Sequence, residues 1–174
     1  MARRRSRALV IDASVVQAAG TSERGRSVSC RTFLQQVLSI CHRVVLTPDV
    51  GEEWNRHRSR FSRKWQVQMY GRKKVVNVSP EAFQDMRRQI DEFAVSEDDR
   101  DAMRKDLPLI LAAVAADRCI VSLDEEAREL FSQAASRIGS LRLLVWVNPE
   151  SDRDDPIAWL QRGAPLEHGR RLSR

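Results

Sequence analysis

Two aspartates directly follow short apolar segments of the chain. Asp12 ends residues 8–12 (ALVID), and Asp124 comes immediately after residues 119–123 (CIVSL). Segments this short, apolar and β-branched are typical of strands that are buried on both faces of a parallel sheet. Ligand sites of such sheets lie beyond the carboxyl ends of the strands. We therefore expect the two carboxylates to face one crevice if their strands are neighbours.

Carboxylates are the groups that this sequence offers for metal chemistry. Its three histidines and three cysteines show neither metal-ligand spacing nor a C-x-x-C pair; they are His42, His57, His168, Cys30, Cys41 and Cys119. This spacing argues against a zinc knuckle and against a disulfide framework. Acids without nitrogen or sulfur partners select a hard cation, Mg²⁺ or Mn²⁺. Such a cation supports the hydrolysis of phosphodiester bonds.

The distribution of charge favours a polyanionic partner. The 30 Lys and Arg residues exceed the 24 Asp and Glu residues, which gives a net charge of +6. Residues 56–74 contain eight Lys or Arg and no acid, whereas residues 81–106 contain nine acids against five bases. A basic stretch and an acidic cluster in one domain suit a nuclease, which must grip phosphates and also hold a cation.

The basic stretch has two interpretations. In the first, it contacts phosphates through Arg56, Arg60, Arg63, Lys64, Lys73 and Lys74 and makes binding sensitive to salt. In the second, it is the solvated face of a helix. Tyr70 and Trp65 could stack on unpaired bases, but helical spacing favours Trp65 as a core residue. Residues 1–7, which include four arginines, are expected to be a basic arm that adds non-specific affinity.

Hydrophobic periodicity and capping signals predict the order of helices and strands. Strands are predicted at residues 8–12, 44–46, 119–123 and 141–147, with a brief extended piece at 75–78. Helices are predicted at residues 14–19, 28–41, 48–70, after the cap signal Ser79-Pro80-Glu81, from Ser96, and at 107–117, 125–135 and 156–160. Because Pro108 removes a helical hydrogen bond, we expect a break or kink near Asp106.

The alternation of strands and helices indicates one parallel α/β sandwich. We divide the chain into the basic arm (residues 1–7), a single domain (residues 8–150), and a C-terminal helix with a loose polar tail from Glu167 (residues 151–174). The sequence shows no run of about 18 apolar residues and no secretory signal pattern. We therefore expect a cytoplasmic protein that does not enter a membrane.

Three segments, in this order and spacing, resemble the PIN-domain family: VIDAS near the start, TPDVGEEW after the second strand, and KDLPLILAAVAADRCIVSLDEEA late in the chain. The resemblance covers about residues 8–147. It implies a Rossmann-like three-layer sandwich with a central, mainly parallel sheet of four to five strands, in which the strands that carry the first and last acids are adjacent. It also implies an endoribonuclease that depends on Mg²⁺ or Mn²⁺, like the toxin halves of many bacterial toxin–antitoxin pairs.

The resemblance also assigns a site. With Ser14 as a supporting hydroxyl, the family's acids fall on Asp12, Glu53, Asp106 and Asp124. The three aspartates are then expected to be direct or water-mediated metal ligands, and the glutamate a ligand or a group that orients water. Glu52 is the alternative to its neighbour in the second position, and Glu125 or Glu126 could join the last one.

Other interpretations of the same residues stay open. Each acid could instead end a strand, cap a helix or lie on a solvated helix face. A phosphohydrolase that forms an aspartyl-phosphate normally shows a D-x-D pair, and Ser14 stands where its second Asp would be. A non-catalytic RNA-binding or scaffold domain on the same fold is the rival from another class. For the ribonuclease, the expected partners are RNA, a cognate antitoxin protein and a second copy of the chain in a homodimer.

Overall fold

The computed structural model describes residues 6–79 and 84–173 and has a five-stranded, all-parallel sheet at its centre. The strands are β1 (Ala8–Ile11), β2 (Arg43–Leu46), β3 (Val75–Asn77), β4 (Cys119–Val121) and β5 (Val145–Val147), in the spatial order β3-β2-β1-β4-β5. The helices of the described residues are α1 (Ala13–Ala18), α2 (Gly25–Ser39), α3 (Pro48–His57), α4 (Arg60–Gly71), α5 (Gln84–Phe93), α6 (Glu97–Val114), α7 (Glu125–Ala134) and α8 (Pro156–Gln161). These helices flank the sheet, so the expected α/β, Rossmann-like three-layer sandwich is confirmed.

Strand β1 lies in the middle of the sheet, between β2 and β4. Three consecutive pairs join β1 to β4 in parallel register: Leu9 with Cys119, Val10 with Ile120 and Ile11 with Val121. All six side chains are fully buried. Beyond the last pair, the backbone N–H of Asp12 donates to the carbonyl oxygen of Val121 at 2.8 Å. The expectation that the strands carrying the first and last acids are neighbours is therefore confirmed.

Two buried tryptophans attach α3 and α4 to the rest of the fold. The indole Nε1 of Trp54 donates to the carbonyl oxygen of Ile11 at 2.7 Å, at the end of β1. The indole Nε1 of Trp65 donates to the carbonyl oxygen of Leu34 in α2 at 2.6 Å. Because a buried indole N–H needs a hydrogen-bond partner, these two bonds fix the position of α3 beside the sheet and of α4 beside α2.

The single helix predicted over residues 48–70 is in fact two helices, α3 and α4, so that prediction is wrong. Arg58 and Ser59 between them have extended backbone, with ψ of 137° and 169°. Ser59 is the N-cap of α4: its Oγ accepts from the backbone N–H of Ser62 at 3.0 Å and donates to the carbonyl oxygen of Ala19. A serine cap compensates for helical bonds lost at a break, and the spacing of apolar residues does not reveal it.

Of the break or kink predicted near Asp106, the break does not occur, because α6 continues through Pro108. Ser96 caps this helix, its Oγ accepting from the backbone N–H of Asp99 at 3.0 Å. A proline inside a helix costs about 3 kcal/mol, since it lacks an N–H and crowds the preceding turn. Burial of apolar side chains on both sides of the proline offsets this cost; they are Met103, Leu107, Leu109, Ile110, Ala112 and Ala113. Asp106 therefore lies inside a helix and is not an N-cap.

The apolar segment at residues 141–147 is a strand only from Val145 onwards, so the longer strand prediction is wrong. Gly139–Leu141 form a 3-10 turn, and the backbone N–H of Leu144 donates to the carbonyl oxygen of Leu141 at 3.1 Å. Both leucines are completely buried. The apolar pattern here therefore reflects burial in a turn and not an extended backbone.

The C-terminal tail is packed against β5, in contrast to the loose tail predicted from its polar composition. Arg171 forms an antiparallel bridge with Val145, and the backbone N–H of Leu172 donates to the carbonyl oxygen of Leu144 at 2.9 Å. The side chain of Leu172 is buried. An edge strand presents unpaired backbone groups, and the tail satisfies some of those on β5.

Three sequence features lie partly outside the described residues, namely residues 1–5 of the basic arm, Pro80 and Glu81 of the cap signal, and Arg174 of the C-terminal tail. The helix expected after that signal is described from Gln84, as α5. None of the helices in the described part of the chain combines the length and the apolarity needed to span a bilayer.

Lys74, just before β3, closes the C-terminal end of α2. Its ammonium Nζ donates to the carbonyl oxygens of Val37 at 2.6 Å, of Leu38 at 2.8 Å and of Ile40. The last carbonyls of a helix have no helical donor, and an ammonium group has three N–H bonds, so each bond finds one acceptor. Burial lowers the pKa of Lys74, with the positive charge of Arg72 as the second cause.

We expect Lys74→Met to destabilise the fold and Lys73→Met to leave its stability nearly unchanged. The first substitution keeps the apolar stem but removes the side-chain donor to the carbonyl oxygens of Val37 and Ile40, at a cost of about 2 kcal/mol. Arg72 still donates to the carbonyl oxygen of Leu38. The control side chain, Lys73, is exposed and forms no ion pair with a described residue. Chemical denaturation gives the free energy of unfolding of both variants, and equal values would contradict the capping role.

Candidate metal centre

A cleft of about 470 Å³ lies beyond the carboxyl ends of β1 and β4, bordered by α1, α3 and α6. The described residues that line it include six acids: Asp12, Asp49, Glu52, Glu53, Asp106 and Asp124. The four acids expected from the sequence therefore line one cleft, although they come from four separate segments of the chain.

Asp12 is held in a fixed orientation at the end of β1. Its Oδ2 accepts from the Ser14 hydroxyl at 2.5 Å and from the Ser122 hydroxyl at 2.9 Å. The Ser14 Oγ also accepts from the backbone N–H of Leu123 at 3.3 Å. Ser14 therefore supports Asp12, as expected, and links the ends of the two neighbouring strands.

Ser122 is a site residue that the sequence reasoning missed. Its side chain is almost completely buried, and its Oγ accepts from the backbone N–H of Asp124 at 3.1 Å while donating to Asp12. A detectable signal existed, because the D-x-S pattern after β1 is mirrored by an S-x-D pattern after β4. Ser122 thus contacts the aspartates of both strand ends, whereas Ser14 contacts Asp12 and the backbone of Leu123.

Asp124 is both a helix cap and a member of the cleft. Its Oδ1 accepts from the backbone N–H of Ala127 at 2.8 Å, so it is the N-cap of α7. The interpretation of Asp124 as a helix cap is therefore correct, and it does not exclude a place in the cleft. One oxygen is enough for the cap, and the other forms no hydrogen bond with a described residue.

Asp106 faces the two strand-end aspartates from α6. Its side chain is half-buried and accepts no hydrogen bond from a described residue. Burial, and then the negative charges of Asp12 and Asp124, raise the pKa of Asp106 to about 6, while Lys105 acts in the opposite direction. The three carboxylates are therefore close enough to repel one another.

The acid at the second position, unlike the three aspartates, has basic side chains as partners. Glu53 lines the cleft from α3, but its carboxylate lies 3.1 Å from Nη1 of Arg56 and 3.5 Å from Nε2 of His57. Glu52, its neighbour, also lines the cleft and pairs with Arg56. Both glutamates are exposed, so the geometry does not decide between them.

Glu125 and Glu126, considered as additional ligands, are not among the described residues that line the cleft. Glu125 Oε1 accepts instead from Nδ2 of Asn148 at 2.9 Å and from Nη1 of Arg128 at 3.3 Å. Arg128 also donates through both terminal nitrogens to Asp154, which is 2% exposed. This network fixes the first turn of α7, next to the last acid of the cleft.

The cleft suits a divalent cation by its donor chemistry. Within residues 6–79 and 84–173, no three His, Cys, Asp or Glu side chains are grouped closely enough to form a ready metal site. The three aspartates nevertheless line one cleft, and burial together with the negative charges of Asp12 and Asp124 raises the pKa of Asp106. Carboxylate oxygens are the ligands that Mg²⁺ and Mn²⁺ prefer, so the residues present fit such an ion.

The six basic residues expected to contact phosphates have different roles in the structure. Arg56 pairs with the two glutamates of α3, and Lys74 is engaged with the end of α2. The remaining four are exposed and form no ion pair with a described residue; they are Arg60, Arg63, Lys64 and Lys73. Tyr70 is 50% exposed, whereas Trp65 is buried in the core.

Two other cavities lie away from this cleft. One, of about 500 Å³, lies between α7 and the C-terminal tail, and the other, of about 250 Å³, adjoins it at Ser132. Their described linings contain a single acid, Glu129. Because the cavity of about 500 Å³ and the cleft have similar volumes, the clustering of acids with a perturbed pKa distinguishes the cleft as the candidate site.

A comparison with models of known protein families finds no match, and a comparison with curated proteins finds no significant match. The order of the acids along the chain and their convergence in one cleft are therefore the observations on which an interpretation of function rests. The cleft in which the acids converge lies beyond the carboxyl ends of the neighbouring strands β1 and β4.

The raised pKa of Asp106 predicts a pH dependence of stability in the absence of divalent cations. A carboxyl group whose pKa is higher in the folded state than in the unfolded state costs stability as pH rises from about 4 to above its folded pKa. With a folded pKa of about 6, the cost at pH 8 is about 3 kcal/mol. Asp106→Asn cannot ionise, so in EDTA it should melt at a higher temperature than wild type at pH 8, and this difference should shrink towards pH 4.

The control for this melt is Asp101→Asn, which removes an exposed acid of the same helix. It should follow the wild-type pH profile. If Asp106→Asn melted no higher than wild type at pH 8, the three aspartates would not be repelling one another.

Proposed function

We propose that this chain is an endoribonuclease that depends on Mg²⁺ or Mn²⁺ and hydrolyses phosphodiester bonds of RNA. One observation carries the proposal: Asp12, Asp106 and Asp124 converge in a cleft at the carboxyl ends of two neighbouring strands. Like charges held close together destabilise a fold unless something neutralises them. A polar cleft with a strongly perturbed carboxyl group is a typical feature of catalytic sites.

The three aspartates are the proposed ligands of the cation, directly or through water, with Glu53 as a ligand or a group that orients water at the mouth of the cleft. When bound, a divalent cation activates water for attack on the phosphorus atom and offsets the negative charge that grows on the phosphate. The all-oxygen donor set favours Mg²⁺ or Mn²⁺ over zinc.

Hydrogen bonds from the chain itself keep the aspartates in position. Ser14 and Ser122 both donate to one oxygen of Asp12, and the backbone of α7 occupies one oxygen of Asp124. Each of these two aspartates thereby keeps its second oxygen free of hydrogen bonds from described residues. A carboxylate that is anchored by one oxygen is already ordered. Its other oxygen can therefore bind a cation without a further loss of side-chain entropy.

The exposed basic residues of α4 are the proposed contacts to the RNA backbone. Arg60, Arg63 and Lys64 have no acidic partner among the described residues, so each can neutralise a phosphate and release counterions. Tyr70 of the same helix offers half of its surface for stacking on an unpaired base. This combination favours single-stranded RNA, or the unpaired parts of structured RNA, as the substrate.

The resemblance to toxin–antitoxin ribonucleases adds two partners to the proposal, a cognate antitoxin protein and a second copy of this chain. An antitoxin reading frame next to the one that encodes this chain would support the first partner. A molecular mass of two chains in light scattering would support the second.

A second candidate function is a non-catalytic RNA-binding or scaffold domain. It is favoured by the pairing of Arg56 with both Glu52 and Glu53, which neutralises the second acid position. Under this alternative the protein binds RNA but does not cleave it at any concentration of divalent cation.

We expect cleavage of a single-stranded RNA in Mn²⁺ or Mg²⁺ and its loss in EDTA. Asp106→Asn and Asp124→Asn should each lower the rate by about 100-fold or more, equivalent to about 3 kcal/mol of transition-state stabilisation. Asparagine caps helices as well as aspartate does, so the second variant removes a charge and keeps the N-cap of α7. The measurement is a time course on labelled RNA.

Asp101→Asn is the matched control for cleavage, because it makes the same chemical change on an exposed part of α6. It should cleave at the wild-type rate. Folded Asp106→Asn protein with wild-type activity would contradict the assignment of the site, and absence of cleavage by the wild type in either metal would favour the non-catalytic alternative.

The proposed grip on RNA predicts a change in salt dependence. Neutralising Arg63 and Lys64 together should weaken RNA binding to a similar extent for different sequences. It should also reduce the slope of log affinity against log salt by about 0.7 for each lost contact with single-stranded RNA. Fluorescence anisotropy at several salt concentrations measures both effects. An unchanged slope would indicate that these side chains are solvated and do not contact the RNA.

A further inference from the structure

A second basic feature lies apart from α4, in the cavity of about 250 Å³ beside α7. The described residues that line it are Arg128, Ser132, Arg153, His168, Gly169 and Arg171. None of them is an acid, and they come from α7, from the loop before α8 and from the C-terminal tail. Three guanidinium groups and a hydroxyl around one small cavity form a donor-rich environment that suits an anion.

Two of the three guanidinium groups keep donors for a ligand. Arg171 donates through Nε and Nη2 to the carbonyl oxygen of Leu166, which leaves its Nη1 without an acceptor among the described residues. Arg153 is 64% exposed and forms no hydrogen bond with a described residue; its nearest acid oxygen, on Asp154, is 3.9 Å away. Arg128 is different, because Asp154 and Glu125 already neutralise it.

The position of this cavity relates it to the metal centre. Asp124 lines the cleft, and Arg128 and Ser132 line the cavity. These residues are spaced four apart on α7, so they lie along one face of the helix. With a rise of about 1.5 Å per residue, Ser132 lies only about 12 Å along the axis from Asp124. The cleft and the cavity are therefore close enough for one polyanion to span both.

We propose that this cavity binds a backbone phosphate of the RNA that occupies the metal cleft, with Arg153 and Arg171 as its principal ligands. The choice of RNA as the source of the phosphate rests on the proposed ribonuclease function. Planar guanidinium groups that approach from separate elements match the several oxygens of a phosphate better than a single cation does. The site would hold the strand beyond the bond that is cleaved and so fix its direction across the cleft.

The test compares the wild-type chain with Arg153→Ala and Arg43→Ala in EDTA, where no cleavage occurs. Arg43 is exposed at the first residue of β2, three strands away from β5, so it controls for the loss of one positive charge. Binding of a labelled single-stranded RNA is measured by anisotropy at several salt concentrations. A second arm follows the melting temperature of the same three proteins in millimolar inorganic phosphate, at constant ionic strength.

We expect Arg153→Ala to weaken RNA binding several-fold and to lower the salt slope by about 0.7, the value for one contact with a single strand. Arg43→Ala should leave the slope unchanged. Inorganic phosphate should raise the melting temperature of the wild type and of Arg43→Ala more than that of Arg153→Ala. Arg153→Glu should weaken RNA binding further than the alanine variant does.

Equal losses in Arg153→Ala and Arg43→Ala would overturn the proposal, since net charge alone would then explain the binding. Stabilisation by phosphate without any effect of Arg153→Ala on RNA affinity would also overturn it, because the phosphate would then not belong to RNA. These outcomes are independent of cleavage. A chain that never cleaves RNA can still bind it through this cavity, and an active enzyme can lack the site.

Discussion

Repulsion between carboxylates is the constraint on which the rest of this structure depends. The parallel pairing of β1 with β4 brings Asp12 and Asp124 to the same edge of the sheet, and α6 adds Asp106 from the other side. Each of these acids is attached to a rigid element, so none can move far from the others without disturbing the core. A large apolar interior has to supply the stability that the charges remove, and the complete burial of the central strands is consistent with this requirement.

The hydrogen bonds around the cleft serve orientation more than charge compensation. Ser14 and Ser122 are neutral, so their hydroxyl groups direct the Asp12 carboxylate without cancelling its charge. Arginine is used differently elsewhere in the fold, as in the buried pair of Arg128 with Asp154, which fixes the loop that precedes α8. The molecule therefore separates two uses of carboxylates: Asp154 is neutralised by an arginine and is structural, whereas Asp12, Asp106 and Asp124 form no ion pair with a described residue.

The sequence predicted those features that local chemistry determines. Asp12 and Asp124 could be assigned because a carboxylate at the end of a buried parallel strand has a defined place in the fold, and the neighbouring strands confirm that placement. Features that depend on distant packing were missed. The helix continues through Pro108 because the side chains around it are buried against other elements, and Lys74 faces the end of α2, which is distant in sequence. No local pattern reports either of these relationships.

The pairing of the C-terminal tail with β5 has a consequence for how the chain behaves in solution. Leu172 and the backbone of Arg171 cover part of an edge that would otherwise present free N–H and C=O groups to other molecules. A polypeptide shortened before Arg171 would keep all five strands and yet expose a hydrogen-bonding template on its outermost one. Such edges recruit strands from neighbouring molecules. Arg171 and Leu172 therefore limit the access of other strands to β5, independently of the chemistry of the cleft.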